Sequence, residues 1–276
     1  MLEGDQDQEE DQGGLRNDGR RAAELRKIRV RMGVFGQADG SAYLEQGNTK
    51  ILVAVYGPHQ PRGSAARAGG KNVGGIINCQ YSTAVFSFSA GERKRRPRGD
   101  RKSIEKSLQL RRAMESIIQL DLYPRSQIDV FVEVLQIDGS EYCVAVNAAT
   151  LALIDAGIPI KDYAIGCTAS LIDSTSKNDE DSSHAAGVVD ATYMEECSPG
   201  ATLSIIALPG SSNDATKGLV VVAQGAGQRL HLSRLEALRN RALCGCRDIR
   251  NILDRAVRQH LTVHSQPSFS TLHVID

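Results

Sequence analysis

The way this chain switches its apolar period limits its fold more than any other feature. Runs that alternate every second residue come first, a run with helical spacing follows, and the two periods then trade places until a long helical stretch near the end. Lys27–Phe35, Ser41–Glu45 and Lys50–Tyr56 read as strands, with Gly47-Asn48 as a hairpin turn between the second and third. Gly57-Pro58 is expected to end that third strand. A further strand is read over Ile76–Phe88. From Ser103, the residues Ile104, Leu108, Ala113, Ile117 and Leu120 recur at helical spacing, and Pro124 closes the run. Ser126–Gln136 alternates as a strand, and Asn147–Ala156 is a compact apolar helix stopped by Gly157 and Pro159. Strands are predicted at Ala164–Ile172, Gly187–Thr192, Thr202–Leu208 and Lys217–Ala223, and a helix over Ser233–His260 opened by a Ser233/Glu236 capping box. That order predicts an α+β fold with helices packed on a mixed or largely antiparallel sheet. No internal repeat of 20–50 residues is visible.

Charge adds little in total and much in distribution. The 33 basic and 33 acidic residues cancel. The opening MLEGDQDQEEDQ carries acids and no base, so residues 1–14 are expected to be a disordered tail. From Arg62 to Lys102 the balance reverses: Arg62, Arg67, Lys71, Arg93, Lys94, Arg95, Arg96, Arg98, Arg101 and Lys102 face only Glu92 and Asp100. Such a stretch, rich in glycine and poor in aromatics, suits a sequence-tolerant contact with a phosphodiester backbone. No apolar run approaches the roughly 18 residues that cross a bilayer, and no signal peptide is read at the start, so an intracellular protein is expected.

Few residues suggest other chemistry. The six cysteines lack the spacing of a zinc site and read as reduced thiols, mostly filling the core. His260 and His264 share H-x-x-x-H spacing but lack a third ligand, and are expected to be solvated at a fraying helix end. Gln224–Leu230 lacks the third glycine of a nucleotide-binding turn. Neither metal nor cofactor is expected.

Several segments together resemble the RNase PH family, in the form of a ring subunit of the eukaryotic RNA exosome. They are R-N-D-G-R-R (Arg16–Arg21), Ala38–Lys50, Phe86–Ser103, Tyr123–Val130 and Val146–Pro159, with the likeness covering about residues 15–261 and leaving 262–276 as a tail. The resemblance implies a β-α-β-α unit of the ribosomal protein S5 domain 2 type. It also implies a hexameric ring of RNase PH-like subunits around an RNA channel, S1/KH cap subunits, a hydrolytic 3'-5' exoribonuclease, and residence in nucleus, nucleolus and cytoplasm. Arg101 and Lys102 match the family's RNA-contact pair, Arg62 and Arg67 fall on a loop expected to narrow the channel, and Lys94, Arg95 and Arg96 are helpers. Active relatives place an arginine where this chain has Tyr142, next to Glu141, and two carboxylates where it has Glu196 and Thr202. On that count the chain is expected to guide single-stranded RNA without cutting it. The alternatives are an active phosphate-dependent 3'-5' exoribonuclease and a free-standing RNA-binding module.

Overall fold

The computed structural model describes residues 16–61, 74–88, 93, 99–172, 187–210 and 218–265. The elements follow from the periods. The first sheet holds β1 (Ile28–Met32), β2 (Gly40–Gln46), β3 (Thr49–His59), β4 (Ile76–Thr83) and β5 (Gln127–Gln136) in the order β1-β2-β3-β5-β4. The Gly47-Asn48 hairpin forms as predicted, with Gln46 opposite Thr49. β4 and β5 run parallel, which requires a crossover, and α1 (Arg101–Ile117) supplies it. The second sheet is antiparallel, with β6 (Ile165–Ile172), β7 (Val188–Val189), β8 (Gly200–Leu208) and β9 (Leu219–Gly227) ordered β7-β6-β8-β9.

The α+β class and the mixed sheet hold. The chain divides its strands between two sheets because α2 (Glu141–Asp155) is apolar on every side. All residues from Tyr142 to Leu153 are buried, and a helix of that kind needs cover all round. It packs on β2 and β3 of one sheet and on β6 of the other. Asn147, fully buried, gives its amide to the Gly166 carbonyl (3.1 Å) and accepts from the Gly166 amide (2.7 Å), pinning α2 to β6. Gly166 is required there: a Cβ would lie 2.7 Å from the Cα of Cys143. The last helix, α4 (Leu232–Ser265), packs on β6 and β8 and buries Leu238, Ala242, Cys246, Ile249, Leu253 and Val257.

Some expectations change. β3 continues through Gly57-Pro58 to His59, because the Gly57 amide bonds Asp39 (2.8 Å) and a register shift absorbs the proline. α2 begins at Glu141, ahead of the apolar period that opens at Asn147. On α1 the buried stripe is Leu110, Ala113, Met114 and Ile117, whereas Ile104 and Leu108 are exposed. α4 starts at Leu232, ahead of Ser233, whose amide and hydroxyl both meet His231. The capping box occurs instead on a short helix absent from the sequence reading, α3 (Tyr193–Glu196), between Thr192 and Glu195. α4 also continues past His260, which is only partly exposed: its Nε2 lies 3.1 Å from the Asp155 carboxylate. The predicted acidic tail and residues 62–73 of the basic loop lie outside the described residues. Among the described residues, no helix is long and apolar enough to cross a membrane.

Candidate functional site

Of the residues that the resemblance singles out, Glu141, Tyr142 and Glu196 stand at the amino terminus of α2. β5 ends at Gln136, and the chain turns through Asp138, Gly139 and Ser140 before the helix starts. Gly139 (φ +80°) leaves no room for a side chain, since a Cβ would sit 2.3 Å from the Ala191 carbonyl oxygen. Ser140 and Asp190, which border the turn, are both left-handed (φ 53° and 56°), a conformation costly for residues with side chains and concentrated at working sites.

Two carboxylates flank this helix end. Glu141, in the first turn, accepts from the Tyr81 hydroxyl (2.5 Å) and pairs with Lys106 of α1 (2.9 Å). That places a carboxylate where the helix dipole favours one. Lys106 also stands over the Tyr81 ring, 5.3 Å from its centroid. Glu196, from α3, accepts the Ser140 amide at 2.7 Å. Burial pushes the Glu196 carboxyl above its ordinary range, and the nearby Glu141 charge adds to this. A carboxyl that holds its proton more tightly than usual, hydrogen-bonded at a helix amino terminus, can take up or deliver a proton there.

Tyr142 points into the core. It is 7% exposed, its hydroxyl is buried without a hydrogen-bond partner, and desolvation raises its pKa. This position therefore presents no cation to a ligand. Thr202 sits on β8 and gives its hydroxyl to the Ala226 carbonyl (3.3 Å) on β9. Of the three catalytic-motif positions, only Glu196 touches the turn before α2.

Arg101 and Lys102 form the exposed first turn of α1. Asp100 caps that helix with its backbone and not its side chain. Lys102 and Lys106 are four residues apart and so share a face of the helix, which sets Lys102 one turn from the cation that grips Glu141. Arg62, Arg67, Lys94, Arg95 and Arg96 lie outside the described residues. The sequence reading missed Lys106 and Tyr81 because nothing local marks them: each reaches the site through the packing of α1 and β4. It noted Arg16 only as part of a family motif, and Arg26 not at all. The cysteines divide as their contexts suggest, with Cys143, Cys167 and Cys246 buried and Cys197 exposed. Burial pushes the Cys143 and Cys79 thiols up to about 12, which keeps them unreactive.

Two sheets around a buried helix, with acidic and basic groups gathered at that helix's amino terminus, are the architecture of a known class. Residues 24–159 match the model of the 3' exoribonuclease family, domain 1 (RNase PH). The chain belongs to that family. Exosome complex component RRP41 of Homo sapiens is 50% identical to it over 248 residues, covering 90% of this chain and 92% of the human one. The crystal structure of rice (Oryza sativa) Rrp46 superposes with a TM-score of 0.70 at 23% identity, covering 88% of this chain and all of that one. The Archaeoglobus fulgidus exosome with RNA bound to the active site gives a TM-score of 0.64 at 23% identity, covering 87% and 92%. At that identity the two structures support the fold alone.

These findings overturn one expectation. The sequence leads to the expectation of no enzyme, on the ground that two motif positions lack their groups. The family it joins is one of 3' exoribonucleases, and the matched segment includes Tyr142. Counting motif residues misleads here for a physical reason: a site is built by packing. Lys106 brings a cation to the end of α2 from outside the motif, and Glu196 keeps a carboxyl on the Ser140 amide.

Proposed function

We propose that this chain is a core subunit of an RNA exosome that engages single-stranded RNA for 3'-to-5' processing and degradation. RNA would run along the amino-terminal end of α1 toward the amino terminus of α2. The observation that carries the reading is the line of cations on α1: Arg101 and Lys102 are open to solvent one turn from Lys106, which is bound to Glu141. Exposed cations at a helix amino terminus suit a phosphate backbone. Lys102 contributes charge without the planar fork of an arginine, so it would tolerate any base sequence.

The kinship with RRP41 supports the rest of the assembly as part of the same proposal. The chain takes a place in a hexameric ring beside other RNase PH-like subunits, under S1/KH cap subunits, with a hydrolytic 3'-5' exoribonuclease attached. It works in nucleus, nucleolus and cytoplasm on ribosomal and other RNAs. Arg62, Arg67, Lys94, Arg95 and Arg96 add to the RNA path.

Affinity purification through a tag on this chain, with the co-purifying proteins identified by mass spectrometry, tests the assembly. Recovery of further RNase PH-like and S1/KH proteins, with ultraviolet crosslinking of a labelled single-stranded RNA to α1, is the expected result. A chain that sediments as a folded monomer and pairs with no RNase PH-like protein would contradict it.

A further inference from the structure

Both walls of the α2 amino terminus are tied to the segment that precedes β1. Arg16 grips Glu195 through Nε (2.8 Å) and a terminal nitrogen (2.5 Å), and donates to the carbonyls of Val189 (2.8 Å) and Asp190 (3.2 Å). The two side chains are 3% and 6% exposed. Arg26 pairs with Asp190 (2.6 Å) and donates to the carbonyls of Asp138 and Gly139, the turn that leads into α2. Val189 is also held from this segment, its amide bonding the Ala22 carbonyl at 2.9 Å.

The consequence follows from chain connectivity. Glu195 and Glu196 are neighbours in α3, a helix of four residues. A helix that short has little hold on its own geometry beyond the Thr192/Glu195 capping box, so a contact that fixes Glu195 helps to place Glu196. Arg16 holds the wall that carries Glu196, and Arg26 holds the wall that carries Ser140. We propose that Arg16 and Arg26 are positioning residues of the candidate centre, a clamp through which the segment before β1 keeps the Glu196 carboxyl against the Ser140 amide. The proposal rests on the reading of the α2 amino terminus as the working site. Arg16 acts through Glu195, and Arg26 through Asp138 and Gly139. Arginine suits the task because its planar fork meets a carboxylate at two points and fixes direction as well as distance.

Hydrogen exchange read by mass spectrometry on the full chain in its assembled complex tests this, with the Ser140 amide as the reporter. In the wild type that amide is protected by Glu196. With Arg16→Met, exchange over Asp138–Tyr142 is expected to rise about tenfold or more, while the buried amides of α2 and β5 keep their protection. Arg16→Lys, which offers a point charge without the fork, should fall between the two. Unchanged exchange at Ser140 in Arg16→Met would overturn the clamp. If Arg16→Met fails to assemble, Glu195→Gln removes the charge while keeping the size, and about threefold faster exchange at the same amide is expected; no change there would equally overturn it. Faster exchange at Ser140 with unaltered RNA protection by the complex would uphold the clamp and contradict the reading of this site as the working one.

Discussion

Arg16 and Arg26 lie among carboxylates with side chains 3% and 5% exposed, whereas Arg101 and Lys102, near the same centre, are open to solvent. The first pair spends its hydrogen-bonding capacity inside the protein. Its partners show the effect: burial works against the charges of Asp190 and Glu195, yet Arg26 and Arg16 hold both carboxyls below their usual range. The second pair stands exposed at the start of α1. Basic side chains therefore occupy two settings here, and burial, not sequence spacing, separates them. Buried cations set the geometry of the α2 amino terminus, and exposed ones can meet a polyanion beside it.

The contrast can be broken most severely at Arg26. Arg26→Met leaves Asp190 buried at 1% side-chain exposure with its main partner gone. The expected loss is about 3–5 kcal/mol, typical of breaking one side of a buried ion pair, read as a lower urea midpoint. A loss under about 1 kcal/mol would mean that water reaches Asp190 and that the pair is not a structural one.

Acid should separate the carboxylates by sign. Asp190 and Glu195 have folded-state pKa values lowered from the ordinary 3.8 and 4.5. Their stabilisation is fully present above those ordinary values and disappears as pH falls through the lowered ones. Glu196 is raised from 4.5, so its contribution is fully present below 4.5 and is lost as pH rises through its folded value. In urea midpoints measured against pH, Glu195→Gln should flatten the acid limb. Glu196→Gln should leave that limb intact and raise stability on the neutral side. A Glu196→Gln variant that lost stability at neutral pH would contradict the raised pKa.

Exposed pairs mark the small end of the scale. Arg111 and Glu115 lie 2.7 Å apart on α1 with side chains 45% and 37% exposed. Arg111→Ala should cost only about 0.3–0.5 kcal/mol, as i,i+4 surface pairs do. A larger loss in a denaturation curve would show that this face of α1 is more than a solvated surface.

The strand periods, the hairpin and the α+β class were legible because local pattern and packing agree there. The candidate site was legible only where charge is exposed. Arg101 and Lys102 stand in a basic run that can be read directly, and Glu196 came from the resemblance. Lys106 and Tyr81 could not be read, because they reach Glu141 through the parallel β4-α1-β5 crossover. The start of α2 was hidden by Asp138-Gly139-Ser140, which reads as a turn, and by Glu141, which breaks the apolar period in the first helical turn. Ile104 and Leu108 recur at helical spacing with Ala113 and Ile117 and yet are exposed; spacing alone does not say which stripe finds a sheet. The buried role of Arg16 was equally invisible, since Glu195 lies 179 residues away.

The measurement that most directly tests the division of labour reverses the exposed charges and leaves the buried ones alone. In Arg101→Glu with Lys102→Glu, the urea midpoint should match the wild type, while the assembled complex binds single-stranded RNA more weakly. The slope of log K against log salt should fall by about 0.7 for each phosphate that the variant no longer neutralises. Unaltered RNA affinity and salt dependence, or a lowered urea midpoint, would contradict the account.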